Sequence, residues 1–322
     1  MKNRVSEQRR KKAYKHLFGP VPSRRLGRSL GVDIVPLKTC SFDCIFCQVG
    51  RTTELTLKRG VYVETDEVID ELSRWLSSGD TADYITLSGS GEPTLHTEFG
   101  SLLEYVKEKS IIPAALLTNG SLLYMPEVRA DALKADVVKV SLSAWDGPSF
   151  RSMNRPAPEL TYDRVYGGIK NFSHDFCGEL WIEVFLVAGI NDKPEQVKNI
   201  ASEVNALNAD VVHLNTVVRP PSENWVKPAS QDMMRQFAEL FDPTAEIIGF
   251  RKQESPSSEW TAHRDRIVGM LSRRPCTAED IAAVSGLHPN VVAKYLAELV
   301  SSGLVRSEER GGSLYYLMKS SE

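Results

Sequence analysis

The sequence predicts an α/β protein: a partial (β/α)6 TIM-like barrel followed by a C-terminal winged helix-turn-helix domain. Three observations carry that expectation. Six short apolar runs of strand length alternate with amphipathic runs of helix length across residues 19–250. A polar stretch containing Pro and Ser, 251–260, then reads as a linker. After it, 261–322 carries three helical patterns and a two-strand pattern. A chain of 322 residues has room for one large and one small domain.

The expected strands are 31–36, 84–88, 114–118, 137–142, 181–187 and 211–215; the helices between them are 65–78, 97–109, 125–134, 162–174 and 193–207. Thr65, ahead of Val68, Ile69, Leu72 and Leu76, is placed to cap the first helix, and Gly79 to stop it. Strands alternating with helices argue for parallel βαβ units with right-handed crossovers and chemistry at the carboxyl ends of the strands. An open doubly wound sheet is the competing geometry. Past 215 the pattern changes to the turn-rich TVVRPPSENWVKP, then a helix at 230–241 and a short strand at 246–249. In the last domain, helices at 264–273, 277–284 and 289–302 precede a hairpin that turns through Glu308–Gly312.

Alternation along the strands describes the interior. In 181–187, Ile182, Val184 and Leu186 form a wholly apolar face, opposed by Trp181, Glu183, Phe185 and Val187. Helices cover the outside of such a barrel, so the apolar faces point outward. Lys139, Ser141, Glu183, His213, Asn215, Thr86 and Ser88 then point inward. Burying so many polar groups is costly unless they pair or meet a polar ligand. Two readings follow: a cavity for a polar substrate, contacted by Lys139, Glu183, His213 and Asn215, or a self-satisfied network such as a Lys139–Glu183 ion pair.

Charge and composition exclude several classes. With 39 Lys and Arg against 42 Asp and Glu, the formal charge is -3, which argues against a protein that coats nucleic acid by bulk charge. No run approaches the roughly 18 apolar residues of a membrane span. The first nineteen residues are basic but lack the apolar core of a secretory signal, so a cytoplasmic location and no membrane partner are expected. Residues 1–18 read as a basic arm, with Lys2, Arg4, Arg9, Arg10, Lys11, Lys12 and Lys15 against Glu7. Such an arm suits tRNA or another polyanion, or is simply a solvated tail.

Three of the five cysteines, Cys40, Cys44 and Cys47, fall in one eight-residue window with C-x3-C-x2-C spacing after the first expected strand. An odd, clustered set without a secretory signal does not read as a disulfide framework. Three thiolates on one loop can hold three irons of a [4Fe–4S] cluster and leave the fourth open to a small chelating molecule. Zinc, with His16 or His96 as fourth ligand, is the rival, and structural cysteines the plainer alternative. The isolated Cys177 and Cys276 read as structural or incidental. The strand 84–88 runs directly into Gly89-Ser90-Gly91-Glu92-Pro93, where small residues let the backbone approach a ligand.

With both features in place, the sequence resembles the radical S-adenosylmethionine (SAM) superfamily over residues 19–250. The cysteine loop matches the superfamily's cluster loop, including the aromatic Phe46 before the last Cys. Ser90-Gly91-Glu92-Pro93 resembles its Gly-Gly-Glu-Pro segment, with Ser replacing the first Gly. The resemblance implies that Cys40, Cys44 and Cys47 bind one [4Fe–4S] cluster and that SAM occupies the open iron. It places Phe46, Ser90, Gly91 and Glu92 around the cofactor, and Thr118, Asn119, Ser141 and Ser143 where the family contacts the SAM carboxylate or ribose. It puts Asn191, in Gly189-Ile190-Asn191, near the adenine. The implied chemistry is reductive cleavage of SAM to methionine and a 5′-deoxyadenosyl radical, fed by a flavodoxin- or ferredoxin-like donor. The segments GPVPSRRLGRSLGVDIVPLKTCSFDCIFCQVG, VSLSAWDGPSFRSMNRP and VVHLNTVVRPPSE resemble a wyosine-synthase-like branch. True wyosine synthases modify tRNA and carry a second cluster on extra N-terminal cysteines; this chain has no Cys before Cys40, so the likeness bears on the scaffold more than on the substrate.

Arg155 in Asn-Arg-Pro and Arg219 after the sixth strand are placed to hold an anionic substrate group, or to pair with a surface carboxylate. The C-terminal domain carries eight cationic against seven acidic residues, and its second helix-turn-helix helix offers only Lys294 as a base, so sequence-specific DNA binding is poorly supported. Two functions remain: a radical SAM enzyme acting on a polar substrate (a tRNA base, a small molecule or a protein), or a metal- or redox-dependent regulator working through the winged helix.

Overall fold

The computed structural model describes residues 14–218, 221–248, 258–310 and 313–319. Most of the basic arm, Arg219 and most of the linker lie outside the described residues. In chain order the elements are β1 (Leu17–Ser23), β2 (Gly27–Val32), β3 (Thr39–Cys40), β4 (Glu54–Leu55), α1 (Thr65–Leu76), β5 (Tyr84–Leu87), α2 (Phe99–Lys109), β6 (Ala114–Thr118), α3 (Pro126–Ala132), β7 (Val137–Ser141), α4 (Gly147–Asn154), α5 (Tyr162–Asp175), β8 (Glu179–Leu186), α6 (Pro194–Asn205), β9 (Val211–Thr216), α7 (Gln231–Ala238) and β10 (Glu246–Ile247). The C-terminal part holds α8 (Ser258–Leu271), β11 (Cys276–Thr277), α9 (Ala278–Ser285), α10 (Pro289–Ser301), β12 (Val305–Arg310) and β13 (Ser313–Met318).

Eight strands form one sheet in the order β1-β2-β5-β6-β7-β8-β9-β10. β2 and β5 to β10 run parallel, and the first six of these are the strands of the expected barrel. Among the described residues β1 and β10 are edges, so the fold is an open, mostly parallel sheet rather than a closed barrel. β1, antiparallel to β2, was not anticipated. Its sequence LFGPVPS holds two prolines that cannot donate to a ladder, which is tolerated on an edge, and the register slips between Phe18 and Val21, where Gly19 and Pro20 sit. The strand expected at 31–36 is displaced to 27–32 because this hairpin pulls Gly27–Gly31 into pairing.

Leu180, Ile182, Val184 and Leu186 of β8, Val138 and Val140 of β7, and Leu214 of β9 join the large apolar cluster that includes helix residues Leu72, Leu103, Ile169 and Ile200. The opposite face carries Trp181 with Val137, Ala115 and Leu26, and above them the polar set. Thr65 does not cap α1: Glu64 holds the cap position without a side-chain bond, and the Thr65 hydroxyl donates to Glu98 (2.5 Å). α4, unread in the sequence, is short but has a reciprocal Asp146/Ser149 capping box.

In the C-terminal part, α8 begins at Ser258, inside the expected linker, and the hairpin gains a third strand in the order β11-β13-β12. Ile267, Ile281, Val292, Tyr295, Leu296 and Tyr316 form its core, and Phe18 and Val21 of β1 belong to the same cluster. The small domain is therefore seated on the edge strand of the large one.

Candidate functional site: a three-cysteine loop and its braces

Cys40 ends β3, and Cys44 and Cys47 follow on a loop pinned from several sides. Asp43 N–H donates to the Asn154 carbonyl (3.0 Å), Ile45 N–H to Met153 (3.0 Å), and the Ser222 hydroxyl to the carbonyls of Cys44 (2.8 Å) and Ile45 (2.9 Å). Each of the three sulfurs faces a side-chain N–H donor. Asn119 Nδ2 lies 3.5 Å from Cys40 Sγ, Asn154 Nδ2 3.5 Å from Cys44 Sγ, and Lys38 Nζ 3.4 Å from Cys47 Sγ. Lys38 also donates to the Gly50 carbonyl and adopts a positive φ of 64°. N–H donors on ligating sulfurs stabilise accumulated negative charge and tune the potential of an iron–sulfur cluster. Lys38 and Asn154 were not among the expected site residues; the only signal was their proximity in sequence to Thr39-Cys40 and to the Asn-Arg-Pro segment.

Burial pushes the Cys40 thiol up to about 12, with the Glu92 carboxylate adding to the effect, and raises Cys44 well above its ordinary value, with Cys47 and Cys40 next among the causes. Without a cation these sulfurs stay protonated; a metal would supply the charge that makes them thiolates. The donor set fits a cluster with one iron per sulfur. It does not fit the zinc alternative. His96 Nε2 is bound to the Val63 carbonyl (2.8 Å) and Nδ1 receives Glu98 N–H (3.1 Å), while His16 Nε2 faces Glu67 (3.4 Å). Among the described residues no three His, Cys, Asp or Glu groups are arranged around a single ion.

The Ser90–Glu92 turn is sewn to the start of this loop. Lys38 N–H donates to the Ser90 carbonyl (2.8 Å) and Glu92 N–H to the Thr39 carbonyl (3.1 Å). A Cβ on Gly91 would collide with the Thr39 carbonyl, so only glycine permits this approach. Ser90 is held by Asp33, whose Oδ2 accepts from the Ser90 hydroxyl (2.5 Å) and N–H (3.1 Å). Glu92 is fully enclosed and accepts four donors: Thr94 N–H (3.1 Å), Thr94 Oγ1 (2.6 Å), Thr118 Oγ1 (2.6 Å) and Asn119 N–H (2.7 Å). It thus ties the end of β5 to the end of β6, and burial raises its pKa against those four bonds.

The remaining expected residues are distributed as follows. Phe46 stacks on Phe185 of β8 at 4.5 Å between ring centroids. Asn191 has its amide committed to the backbone: Oδ1 accepts from Val187 N–H (2.8 Å), and Nδ2 donates to Phe185 (2.9 Å) and Ser143 (3.1 Å) carbonyls. Ser143 Oγ accepts from Phe185 N–H (2.8 Å), so Asn191 and Ser143 brace the top of β8. Ser141 receives Lys139 Nζ (2.9 Å). Arg155 is paired with the half-buried carboxylates of Glu223 and Asp43; Arg219 lies outside the described residues.

Across the inner face, Glu183 gathers the polar network. Lys139 Nζ lies 3.1 Å from its Oε2, while Arg25 Nη1 (2.9 Å) and Asn215 Nδ2 (2.7 Å) donate to Oε1. The Lys139–Glu183 pair raised in the sequence reading is present, with Arg25 as an unforeseen second cation entering from the β1–β2 hairpin. Burial alone would raise Glu183, but Arg25 and then Lys139 overcome it and hold the carboxyl well below its ordinary value. His213 sits edge-on to Trp181 at 5.4 Å, and its buried Nδ1 has no hydrogen-bond partner.

Comparison with known proteins agrees with this geometry. Residues 34–204 match the family model of the radical SAM superfamily. UPF0026 protein MJ1312 of Methanocaldococcus jannaschii is 30% identical over 320 residues, covering 93% of this chain and 95% of that protein. A GTPase Obg of Brachyspira hyodysenteriae is 37% identical over 305 residues; the match covers 94% of this chain but spans only 45% of that relative's length. Among solved structures, a radical SAM methyltransferase from Sphaerobacter thermophilus aligns with a TM-score of 0.53 at 16% identity, over 68% of this chain and 65% of that one. No helix of the described residues is long and apolar enough to cross a membrane. The chain belongs to the radical SAM superfamily, whose enzymes use a [4Fe–4S] cluster and SAM, and groups with the UPF0026 proteins.

Proposed function

We propose that Cys40, Cys44 and Cys47 hold one [4Fe–4S] cluster and that SAM binds beside it against the Ser90–Gly91 turn. A bound cluster would supply the electron for reductive cleavage of SAM, the chemistry by which hydrogen would be taken from a polar substrate. The observation that carries this reading is the set of three half-buried sulfurs on one loop, each facing an N–H donor, with the loop locked to a glycine turn. The protein's part is positioning and exclusion of water. Lys38, Asn119 and Asn154 orient and polarise the sulfurs. Glu92 and Asp33 fix the turn, and Phe46 on Phe185 closes the apolar side. The substrate would lie over Ser141, Asn215 and the Lys139–Glu183 pair, with His213 and Arg25 beneath. Among substrate classes a tRNA base, a small molecule or a protein, and as reductant a flavodoxin- or ferredoxin-like donor, all accord with this site.

The regulator alternative finds no support: α10, the helix that would read DNA, lies against β1, where Lys294 Nζ donates to the Pro22 carbonyl (2.9 Å). The test is anaerobic reconstitution with iron and sulfide, then dithionite and SAM. Methionine and 5′-deoxyadenosine are expected, with loss of both in Cys44→Ala. Colourless, zinc-loaded protein inert to SAM would overturn the reading.

A further inference from the structure

The small C-terminal domain reaches the cofactor turn through one side chain. His288 is the N-cap residue of α10, and its Nδ1 accepts from Asn290 N–H (3.2 Å). That bond leaves the ring proton on Nε2, which lies 2.9 Å from Asp33 Oδ2, the same oxygen that receives the hydroxyl and N–H of Ser90. The imidazole also stacks on Phe18 of β1, centroids 4.2 Å apart and planes 15° apart. Two glycines make room for the arrangement. A Cβ on Gly31 would strike the Phe18 ring, and one on Gly89 would strike the Asp33 carboxyl group. Nearly two turns further along α10, Lys294 is anchored to Pro22.

We propose that His288 is a positioning residue for SAM, supplied to the site by the C-terminal domain. The inference rests on the reading above, in which the Ser90–Gly91 turn receives the methionine end of SAM. Asp33 is buried, and its Oδ1 has no hydrogen-bond partner, so the carboxylate is oriented by what binds Oδ2. Three donors converge there. Removing His288 leaves only those of Ser90 itself, and nothing then fixes the carboxylate or the turn it holds relative to β2. By reciprocity, SAM binding also favours the seated position of α10.

The test uses the full-length, cluster-loaded protein under anaerobic conditions. SAM affinity is read from the change that SAM produces in the electron paramagnetic resonance spectrum of the reduced cluster, for wild type, His288→Ala and His288→Gln. The expected result is a Kd for SAM about tenfold weaker in His288→Ala, as for loss of a hydrogen bond to a charged group. Cluster content should be unchanged, the effect should fall on KM for SAM rather than on kcat, and Gln, which keeps an N–H donor, should restore most of the affinity. Equal affinity in wild type and His288→Ala overturns the proposal. Wild type that carries a cluster but shows no SAM-dependent spectral change overturns the functional reading itself, and this proposal with it. Should His288→Ala fail to fold, Phe18→Leu keeps an apolar side chain in the shared cluster while removing the ring stacked on His288. It is expected to weaken SAM binding several-fold, and an unchanged Kd there counts equally against the assignment.

Discussion

His213 is 3% exposed, and burial pushes its pKa from 6.5 down to about 4, in spite of an opposing pull from Glu183. In the unfolded chain the imidazole takes up a proton as pH falls through 6.5; in the folded protein it does so only near 4. Between those values the unfolded state binds more protons, so stability is fully present above pH 6.5 and declines as pH falls toward 4. At about 1.4 kcal/mol per pH unit the interval is worth about 3 kcal/mol. Urea unfolding followed by circular dichroism at pH 4.5, 5.5, 6.5 and 7.5 should show wild type losing about 2–3 kcal/mol more across that range than His213→Gln, which does not titrate. Glu183 does not blur the comparison, because its depressed pKa makes its contribution disappear only below the usual carboxylate range. Slopes of other groups, such as His96, are common to both proteins and cancel. Parallel stability curves for the two proteins would refute the argument that an uncharged, enclosed imidazole lies in the floor of the site.

Gly91→Ala should displace the Thr39 carbonyl and with it the cluster loop, costing about 1–3 kcal/mol; iron and sulfide analysis after reconstitution should show partial cluster occupancy, and full occupancy would contradict the close-approach argument. Lys38→Met deletes the cationic donor on Cys47 Sγ and should shift the cluster potential to more negative values by ~40–80 mV, equivalent to about 1–2 kcal/mol for one electron. A redox titration monitored by electron paramagnetic resonance reads that shift directly, and an unchanged potential would show that Lys38 does not act on the sulfur.

The parts of the fold written in local pattern were legible in the sequence. β6 was placed at its exact bounds, and β5, β7, β8 and β9 were found within two residues, because each is an apolar run between turn signals. Alternation alone also separated the wholly aliphatic helix-facing positions from Lys139, Ser141, Glu183 and Asn215, which meet in one network. β1 was missed because Gly19, Pro20 and Pro22 are loop signals unless a neighbouring strand is known to pair with them. α4 was missed because its eight residues are too few for an extended periodicity, its start being marked only by Asp146 and Pro148. In the site, cysteine spacing and the glycine turn were visible. The groups that orient them were not: Asn154 lies 110 residues from Cys44, and His288 meets Asp33 only because α10 folds back on β1. Nothing in a linear pattern distinguishes an Asn amide that braces a sulfur from one that faces water. Asn191 shows the converse case, a residue singled out for cofactor contact whose amide is spent on three backbone groups.

Arg25 and Leu26 come from the hairpin at the amino-terminal ends of the parallel strands. Leu26 packs with Ala115, Val137 and Trp181, and Arg25 reaches up to Glu183. Together they cover the amino-terminal end of the inner face. In the proposed reading, SAM and substrate would then enter and leave past the opposite, carboxyl-terminal ends of the strands.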